Sequence, residues 1–141
     1  MNDKAKLTAP DARRVLIVED DPSARRSLLL LLTGRGFDAV AHSGVALALA
    51  DAEDQPPGCL VTDYRLGDGD GINLLATLRR RGWLGPAILV SAFWSSDLTQ
   101  RASDAGFAEI FDKPMREHAL VDAVGRLTSR EIGSPNLRRD R

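Results

Sequence analysis

Cys59-Leu60-Val61-Thr62-Asp63 is a short apolar run that ends in a carboxylate. An earlier run of the same kind, Val15 to Val18, is followed directly by Glu19 and Asp20. Strands this short and apolar are typical of a parallel sheet that helices cover on both faces. The carboxyl ends of neighbouring parallel strands share one edge, where open α/β sheets bind their ligands. We therefore expect Glu19, Asp20 and Asp63 to form one acidic site.

Segments typical of strands and helices alternate along the chain. The strand-like runs lie at 14–18, 37–41, 59–62, 87–91 and 107–111. The intervening periodicity and breakers predict helices that begin after Asp21-Pro22, at Val45, at Ile72, at Ser96 and at Pro114. Right-handed crossovers then predict an α/β fold, a flavodoxin-like three-layer α/β/α sandwich. The strand order 2-1-3-4-5 is taken from that fold type by analogy.

Length, charge and composition exclude several classes of function. A chain of 141 residues can bury one core, and a net charge of -1 with mixed signs gives no basic field, so we expect no direct DNA binding. The single cysteine, Cys59, lies in an apolar run and fits a reducing cytoplasm. No apolar stretch approaches the roughly 18 residues of a membrane span, and the first residues lack a secretory signal. We expect a cytoplasmic protein without a membrane partner.

The pattern predicts one domain with two unstructured ends. We expect a flexible leader at 1–11 and a domain at 12–129. The helical pattern lapses beyond about Ser129, where Gly133 and Pro135 interrupt the chain. We therefore expect a flexible Arg-containing tail at 130–141.

The acidic site is suited to a divalent cation. Three adjacent carboxylates raise one another's pKa unless a cation compensates their charge. Mg²⁺ takes oxygen ligands from carboxylates, water and phosphate. Ser91 ends the run 87–91 and Lys113 follows the last strand-like run, so both are predicted at the same sheet edge. A hydroxyl and an ammonium there suit a phosphoryl group.

Considered one at a time, the same residues have plainer interpretations. Asp21 is suited to cap the first helix, and Asp63 to lie in a turn before the Gly/Asp-rich loop 67–71. Ser91 would then be a strand-ending cap, and Lys113 a solvated surface charge.

Four motifs lie along the chain: Val-Glu-Asp-Asp at 18–21, Val-Thr-Asp-Tyr-Arg-Leu at 61–66, Val-Ser-Ala at 90–92 and Asp-Lys-Pro at 112–114. In this order and spacing they resemble the receiver domain of two-component response regulators over about residues 13–129. The resemblance implies that Asp63 accepts a phosphoryl group from a histidine kinase or a histidine phosphotransfer protein. It also implies Mg²⁺ as cofactor, held by Glu19, Asp20, Asp63 and the backbone carbonyl of Arg65. It further implies phosphoryl contacts from Ser91, Ala92 and Lys113, and a cis bond before Pro114.

Three departures from the family pattern carry expectations of their own. Ile110 replaces the usual switch aromatic, a Tyr or Phe three residues before the lysine. Gly67 stands where proline is common, which predicts a looser loop. Arg65 and Phe93 occupy the positions that flank the path of hydrolytic water, and their bulk predicts slower or altered dephosphorylation.

We interpret the chain as a stand-alone receiver that signals by a conformational change to an unidentified downstream protein. It would not be a dedicated enzyme, although it would assist its own phosphorylation and dephosphorylation. The alternatives are a receiver from a larger regulator or hybrid kinase, and a phosphorylation-independent pseudo-receiver. The five site residues argue against a pseudo-receiver, whereas Ile110 keeps that alternative open. A phosphohydrolase with an aspartyl phosphate is disfavoured, since Arg65 stands where a second aspartate is needed. A homodimer stays open.

Overall fold

The computed structural model describes residues 11–129 as a single alternation of strands and helices. The strands of the main sheet are β1 (Asp11–Val18), β2 (Asp38–His42), β3 (Pro57–Asp63), β4 (Ala87–Ser91) and β5 (Glu109–Asp112), and the short strands Arg65–Leu66 and Gly69–Asp70 form a separate hairpin. The helices are α1 (Pro22–Gly34), α2 (Val45–Asp54), α3 (Gly71–Arg80), α4 (Ser96–Ala105) and α5 (Glu117–Thr128). The expected leader and tail lie outside the described residues, except for Asp11, which begins β1.

The five strands form one parallel sheet of order β2-β1-β3-β4-β5. The predicted order is thereby confirmed. β1 and β3 are direct neighbours, with Val18 opposite Thr62. The residues that follow these two positions therefore leave the sheet side by side.

The sheet separates two hydrophobic cores, because successive side chains of a strand point to opposite faces. Val15 and Ile17 of β1 pack with residues of α1 and α5. Leu16 and Val18 pack with residues of α2, α3 and α4. The expected three-layer α/β/α sandwich is confirmed, and its buried strands account for the unbroken apolar runs in the sequence.

Short polar side chains set the beginnings of three helices, as N-caps do when they accept a hydrogen bond from the first turn. Asp21 accepts from the Ala24 amide at 2.8 Å, with Pro22 in the first turn of α1. Asp70 accepts from the Asn73 amide at 2.8 Å at the start of α3. Ser95 performs the same role for α4.

β1 and β3 begin earlier than predicted, at Asp11 and Pro57, and two other elements begin later than predicted. α5 begins at Glu117 and not at Pro114, because the Lys113 amide donates to the Ser91 carbonyl at 2.9 Å and holds the chain against the sheet edge. β5 begins at Glu109, two residues later than predicted. Phe107 instead packs as a buried core residue below the strand, and Gly106 ends α4 with φ 105°, a left-handed conformation that favours glycine.

α4 is thinly packed, since only Leu98 and Ala102 are buried among its ten residues. None of the helices in this range is long and apolar enough to cross a bilayer.

Candidate acidic site at the sheet edge

Three carboxylates meet where β1 and β3 end. Glu19 and Asp20 directly follow β1, and Asp63 is the last residue of β3. One oxygen from each carboxylate lies within 4.8 Å of the others. Glu19 is buried, Asp20 is exposed and the Asp63 side chain is 12% exposed. The cluster is therefore open on the side of Asp20 and closed on the side of Glu19.

Lys113 reaches into this cluster from the loop after β5. Its ammonium donates to Glu19 Oε1 at 2.8 Å and to Asp63 Oδ2 at 2.9 Å, and its side chain is 25% exposed. It is therefore not a solvated surface charge. Burial opposes the charge of Lys113, but its hydrogen bonds to the two carboxylates outweigh burial and raise its pKa.

Glu19 is a buried carboxylate with fixed partners. Burial raises its pKa, and the hydrogen bond from Lys113 opposes that shift. Its second oxygen, Oε2, accepts from the Asp21 amide at 3.2 Å, while its own amide donates to the His42 carbonyl at 3.0 Å. The side chain and the backbone of Glu19 are thus both held, which fixes one wall of the site.

Both oxygens of Asp63 also have donors. Oδ2 accepts from Lys113, and Oδ1 accepts from the Tyr64 amide at 2.7 Å. The carboxylate is oriented by hydrogen bonds and still reaches the surface. A group held in this way is suited to attack an electrophile that arrives from solvent.

The donor set suits a hard divalent cation. Three carboxylates within one coordination sphere offer oxygen ligands only, which is the chemistry that Mg²⁺ prefers. Lys113 contacts two of the three carboxylates, but its single positive charge balances only one negative charge, so the site retains a net negative charge that a divalent cation would neutralise.

Ser91 and Ala92 stand at the end of the neighbouring strand β4. Val90 is opposite Asp63, so Ser91 ends its strand beside the cluster and Ala92 begins the following loop. The buried Ser91 hydroxyl accepts from the Phe93 amide and donates to the Phe93 carbonyl, both at 3.0 Å. This contact corresponds to the strand-ending cap of the plainer interpretation. Ala92 is exposed in the same loop.

Two aromatic–cation pairs lie beside the acidic site, and their contacts were not predicted from the sequence. The guanidinium carbon of Arg65 lies 4.0 Å from the centroid of the Phe93 ring. Arg101 of α4 donates to the Tyr64 hydroxyl at 3.2 Å. The members of each pair are far apart in the chain, so a local sequence pattern does not predict the contact.

The remaining predicted positions have ordinary surroundings. Ile110 of β5 is half-buried and packs against the core on the side of α2, α3 and α4. The Lys113–Pro114 peptide is cis.

Comparison with known proteins agrees with this arrangement. Residues 15–125 match the family described as response regulator receiver domain. The chain is 30% identical over 120 residues to the transcriptional regulatory protein FixJ of Rhizobium meliloti, covering 85% of this chain and 59% of FixJ. It is 39% identical over 101 residues to the transcriptional regulatory protein KdpE of Mycobacterium tuberculosis, covering 71% of this chain and 44% of KdpE. The chain thus spans about half the length of the curated relatives it matches.

Solved structures show the same fold. A sensor protein from Polaromonas sp. JS666 is 30% identical, with a TM-score of 0.75, covering 82% of this chain and 94% of that one. A CheY-like receiver domain protein from Methanospirillum hungatei has a TM-score of 0.77 at 23% identity, covering 82% and 92% of the two chains. The match over residues 15–125 places this chain in the response regulator receiver domain family.

Proposed function

We propose that this domain is the phosphoacceptor receiver of a two-component system or phosphorelay. Asp63 would take a phosphoryl group from a phosphohistidine of a histidine kinase or a histidine phosphotransfer protein. The observation that carries the proposal is the position of Lys113, whose ammonium lies within 2.9 Å of Asp63 and 2.8 Å of Glu19. A carboxylate nucleophile, an acid pair and a fixed cation are the parts that phosphoryl transfer needs.

In the transfer, an oxygen of Asp63 forms a bond to phosphorus while the bond from phosphorus to the donor nitrogen breaks. The bonding electron pair stays on that nitrogen, and a proton on the other ring nitrogen lets the donor histidine leave as a neutral imidazole. Lys113 is in reach of the acceptor and compensates charge on the transferred group. Glu19, Asp20 and Asp63, with the backbone carbonyl of Arg65, would hold Mg²⁺, which supplies charge neutralisation for the phosphoryl oxygens.

Signalling would begin at Ser91. Its hydroxyl proton is donated to the Phe93 carbonyl in this structure. A phosphoryl oxygen on Asp63 is a stronger, charged acceptor, so the hydroxyl would turn towards it and release Phe93. The loop 92–96 and α4 would then take a second arrangement, which a downstream protein reads. The amide of Ala92 and the ammonium of Lys113 would complete the phosphoryl contacts.

Other parts of the proposal concern partners and context. FixJ and KdpE are named transcriptional regulatory proteins, whereas we propose that this domain acts through protein contacts and not by touching DNA itself. A cytoplasmic location and the domain bounds 12–129 stay predictions, and a homodimer stays open. The family is a signalling module, and we propose no dedicated enzyme activity.

A second candidate is a pseudo-receiver, an interaction module that works without phosphate. Ile110 favours it, because a half-buried aliphatic side chain at that position cannot act as an aromatic switch.

The two candidates separate by intact mass. The protein is incubated with acetyl phosphate and Mg²⁺, and wild type is compared with Asp63→Asn. We expect wild type alone to gain one phosphoryl group. A circular dichroism spectrum shows whether the wild-type protein is folded. If the folded protein gains no mass, the acceptor function fails and the pseudo-receiver is favoured.

A further inference from the structure

The loop between β3 and α3 is fastened to the amino end of α2 by one side chain. The Asp68 carboxylate accepts hydrogen bonds from the amides of Val45 at 2.7 Å and Ala46 at 3.1 Å. The N-cap position of α2 is Gly44, which has no side-chain cap of its own. A helix usually receives this bond from its own N-cap residue, whereas here a loop 23 residues further along supplies it.

Gly44 leaves the room that this contact needs. A Cβ atom on Gly44 would lie 2.6 Å from Asp68 Oδ1, which is closer than such atoms can approach. The backbone of Gly44 is extended, with φ -160° and ψ -177°, so its dihedral angles do not themselves demand glycine. Space for Asp68 is the physical reason for a glycine at this position.

The contact joins the two sides of the acidic site. On one side, the amide of Glu19 donates to the carbonyl of His42, the last residue of β2, at 3.0 Å. On the other side, Asp68 lies at the turn of a small hairpin in which Arg65–Leu66 pairs with Gly69–Asp70. The bond from Asp68 to α2 therefore sets the β3–α3 loop relative to the loop that carries Glu19 and Asp20.

We propose that Asp68 is a positioning residue for the cation site. By capping α2 it holds the β3–α3 loop, and with it the backbone carbonyl of Arg65, in place before the cation binds. This inference rests on the proposed function, in which that carbonyl and the carboxylates of Glu19, Asp20 and Asp63 bind Mg²⁺. A ligand that is already in place costs less conformational entropy on binding, so the loss of Asp68 weakens the site without removing any ligand.

The test is calorimetric titration of the metal-free protein with MgCl₂, with a thermal melt of each variant. Asp68→Ala should bind Mg²⁺ about tenfold more weakly, the lower end of the range for residues that orient metal ligands. Asp68→Asn keeps an acceptor oxygen and is as good a cap, so it should bind within about threefold of wild type. Ser95→Ala is the matched control, because it removes the cap of α4, which carries no proposed ligand.

A second variant tests the contact between Asp68 and α2 by changing Gly44, the residue that faces the Asp68 carboxylate. Gly44→Ala should displace the Asp68 carboxylate and weaken Mg²⁺ binding in the same direction as Asp68→Ala. It also keeps the test decisive if Asp68→Ala does not fold.

The outcomes are distinct. Equal Mg²⁺ affinity in wild type, Asp68→Ala and Gly44→Ala would overturn the inference and leave the proposed function standing, as would equal weakening in Ser95→Ala. If wild type binds no Mg²⁺, the proposed cation site and this inference both fail.

Discussion

The guanidinium of Arg65 stacks on the ring of Phe93, with 4.0 Å between the guanidinium carbon and the ring centroid. Arg65 lies two residues after Asp63, and Phe93 two residues after Ser91. The backbone amide of Phe93 donates a hydrogen bond to the Ser91 hydroxyl, and its carbonyl accepts one from that hydroxyl. One stacked pair thus connects the loop after the proposed acceptor to the loop after the proposed switch residue.

This stack should slow the hydrolysis of the aspartyl phosphate. Replacing both residues, as Arg65→Asn with Phe93→Ser, removes bulk from the predicted path of water. We expect dephosphorylation to accelerate about two- to fivefold, which corresponds to the ~0.5–1 kcal/mol of an exposed cation–π contact. The decay of phosphorylated protein is followed by intact mass after acetyl phosphate is removed. An unchanged phosphate lifetime in the double variant would end this hypothesis.

Lys113 should stabilise the protein, because its ammonium donates hydrogen bonds to two carboxylates, one of them buried. Lys113→Met leaves Glu19 and Asp63 without their cation, and we expect a loss of about 1–3 kcal/mol in the free energy of unfolding at pH 7 without divalent cations. Because Mg²⁺ would supply the missing charge, the loss should shrink when MgCl₂ is added. Urea unfolding with and without MgCl₂ measures both effects.

Arg116→Met is the control for Lys113, since it removes the same charge from an exposed position in the same loop. Its unfolding free energy should change little and should not depend on MgCl₂. A Lys113→Met variant that is as stable as wild type would contradict the role assigned to the ammonium.

Trp94 should report on the switch at Ser91. Its side chain is 63% exposed, three residues beyond Ser91, whereas Trp83 is buried and donates from its indole nitrogen to the Pro57 carbonyl. Phosphorylation should therefore alter Trp94 emission and leave Trp83 as a constant background. In Ser91→Ala the mass gain at Asp63 should persist while most of the emission change is lost. An undiminished emission change in Ser91→Ala would show that Ser91 does not couple the site to the loop.

Trp94→Phe identifies the source of the signal. The variant should still gain the phosphoryl mass, but its remaining emission, from Trp83, should not respond.

Cys59 should make the fold sensitive to alkaline pH. Burial raises the pKa of its thiol from 9.0 to about 12. Between these values the unfolded chain loses a proton that the folded chain keeps. The contribution of the thiol to the free energy of unfolding is therefore fully present below pH 9 and is lost as pH rises towards 12. At pH 10 the loss should be about 1.4 kcal/mol relative to pH 8.

The measurement is urea unfolding of wild type and Cys59→Ala at pH 8 and pH 10. The alanine variant is less stable at both values, because it leaves a cavity, but it lacks this titration. The difference between the two proteins should therefore narrow by the stated amount at pH 10. If the difference in unfolding free energy between wild type and Cys59→Ala is the same at both pH values, the thiol ionises as readily in the folded chain as in the unfolded chain, which contradicts the prediction.

Much of the fold could be predicted because its signals are local. The apolar runs that end at Val18 and Asp63 mark strands buried on both faces, and Asp21 with Pro22 marks the start of α1. The boundaries at Pro114 and Phe107 were wrong for a non-local reason. The Lys113 amide is held by Ser91 on another strand, and Phe107 is buried in the core against other elements.

The sequence by itself determined the α/β alternation, the buried sheet and the placing of Glu19, Asp20 and Asp63 at strand ends, since apolar patterning and strand polarity fix these. Only the tertiary structure decided how the loops meet. The bonds of Lys113 to Glu19 and Asp63, the Arg65–Phe93 stack and the capping of α2 by Asp68 each join residues at least 22 positions apart. Contacts of this kind depend on where the folded loops bring side chains in space, and a linear pattern carries no signal for them.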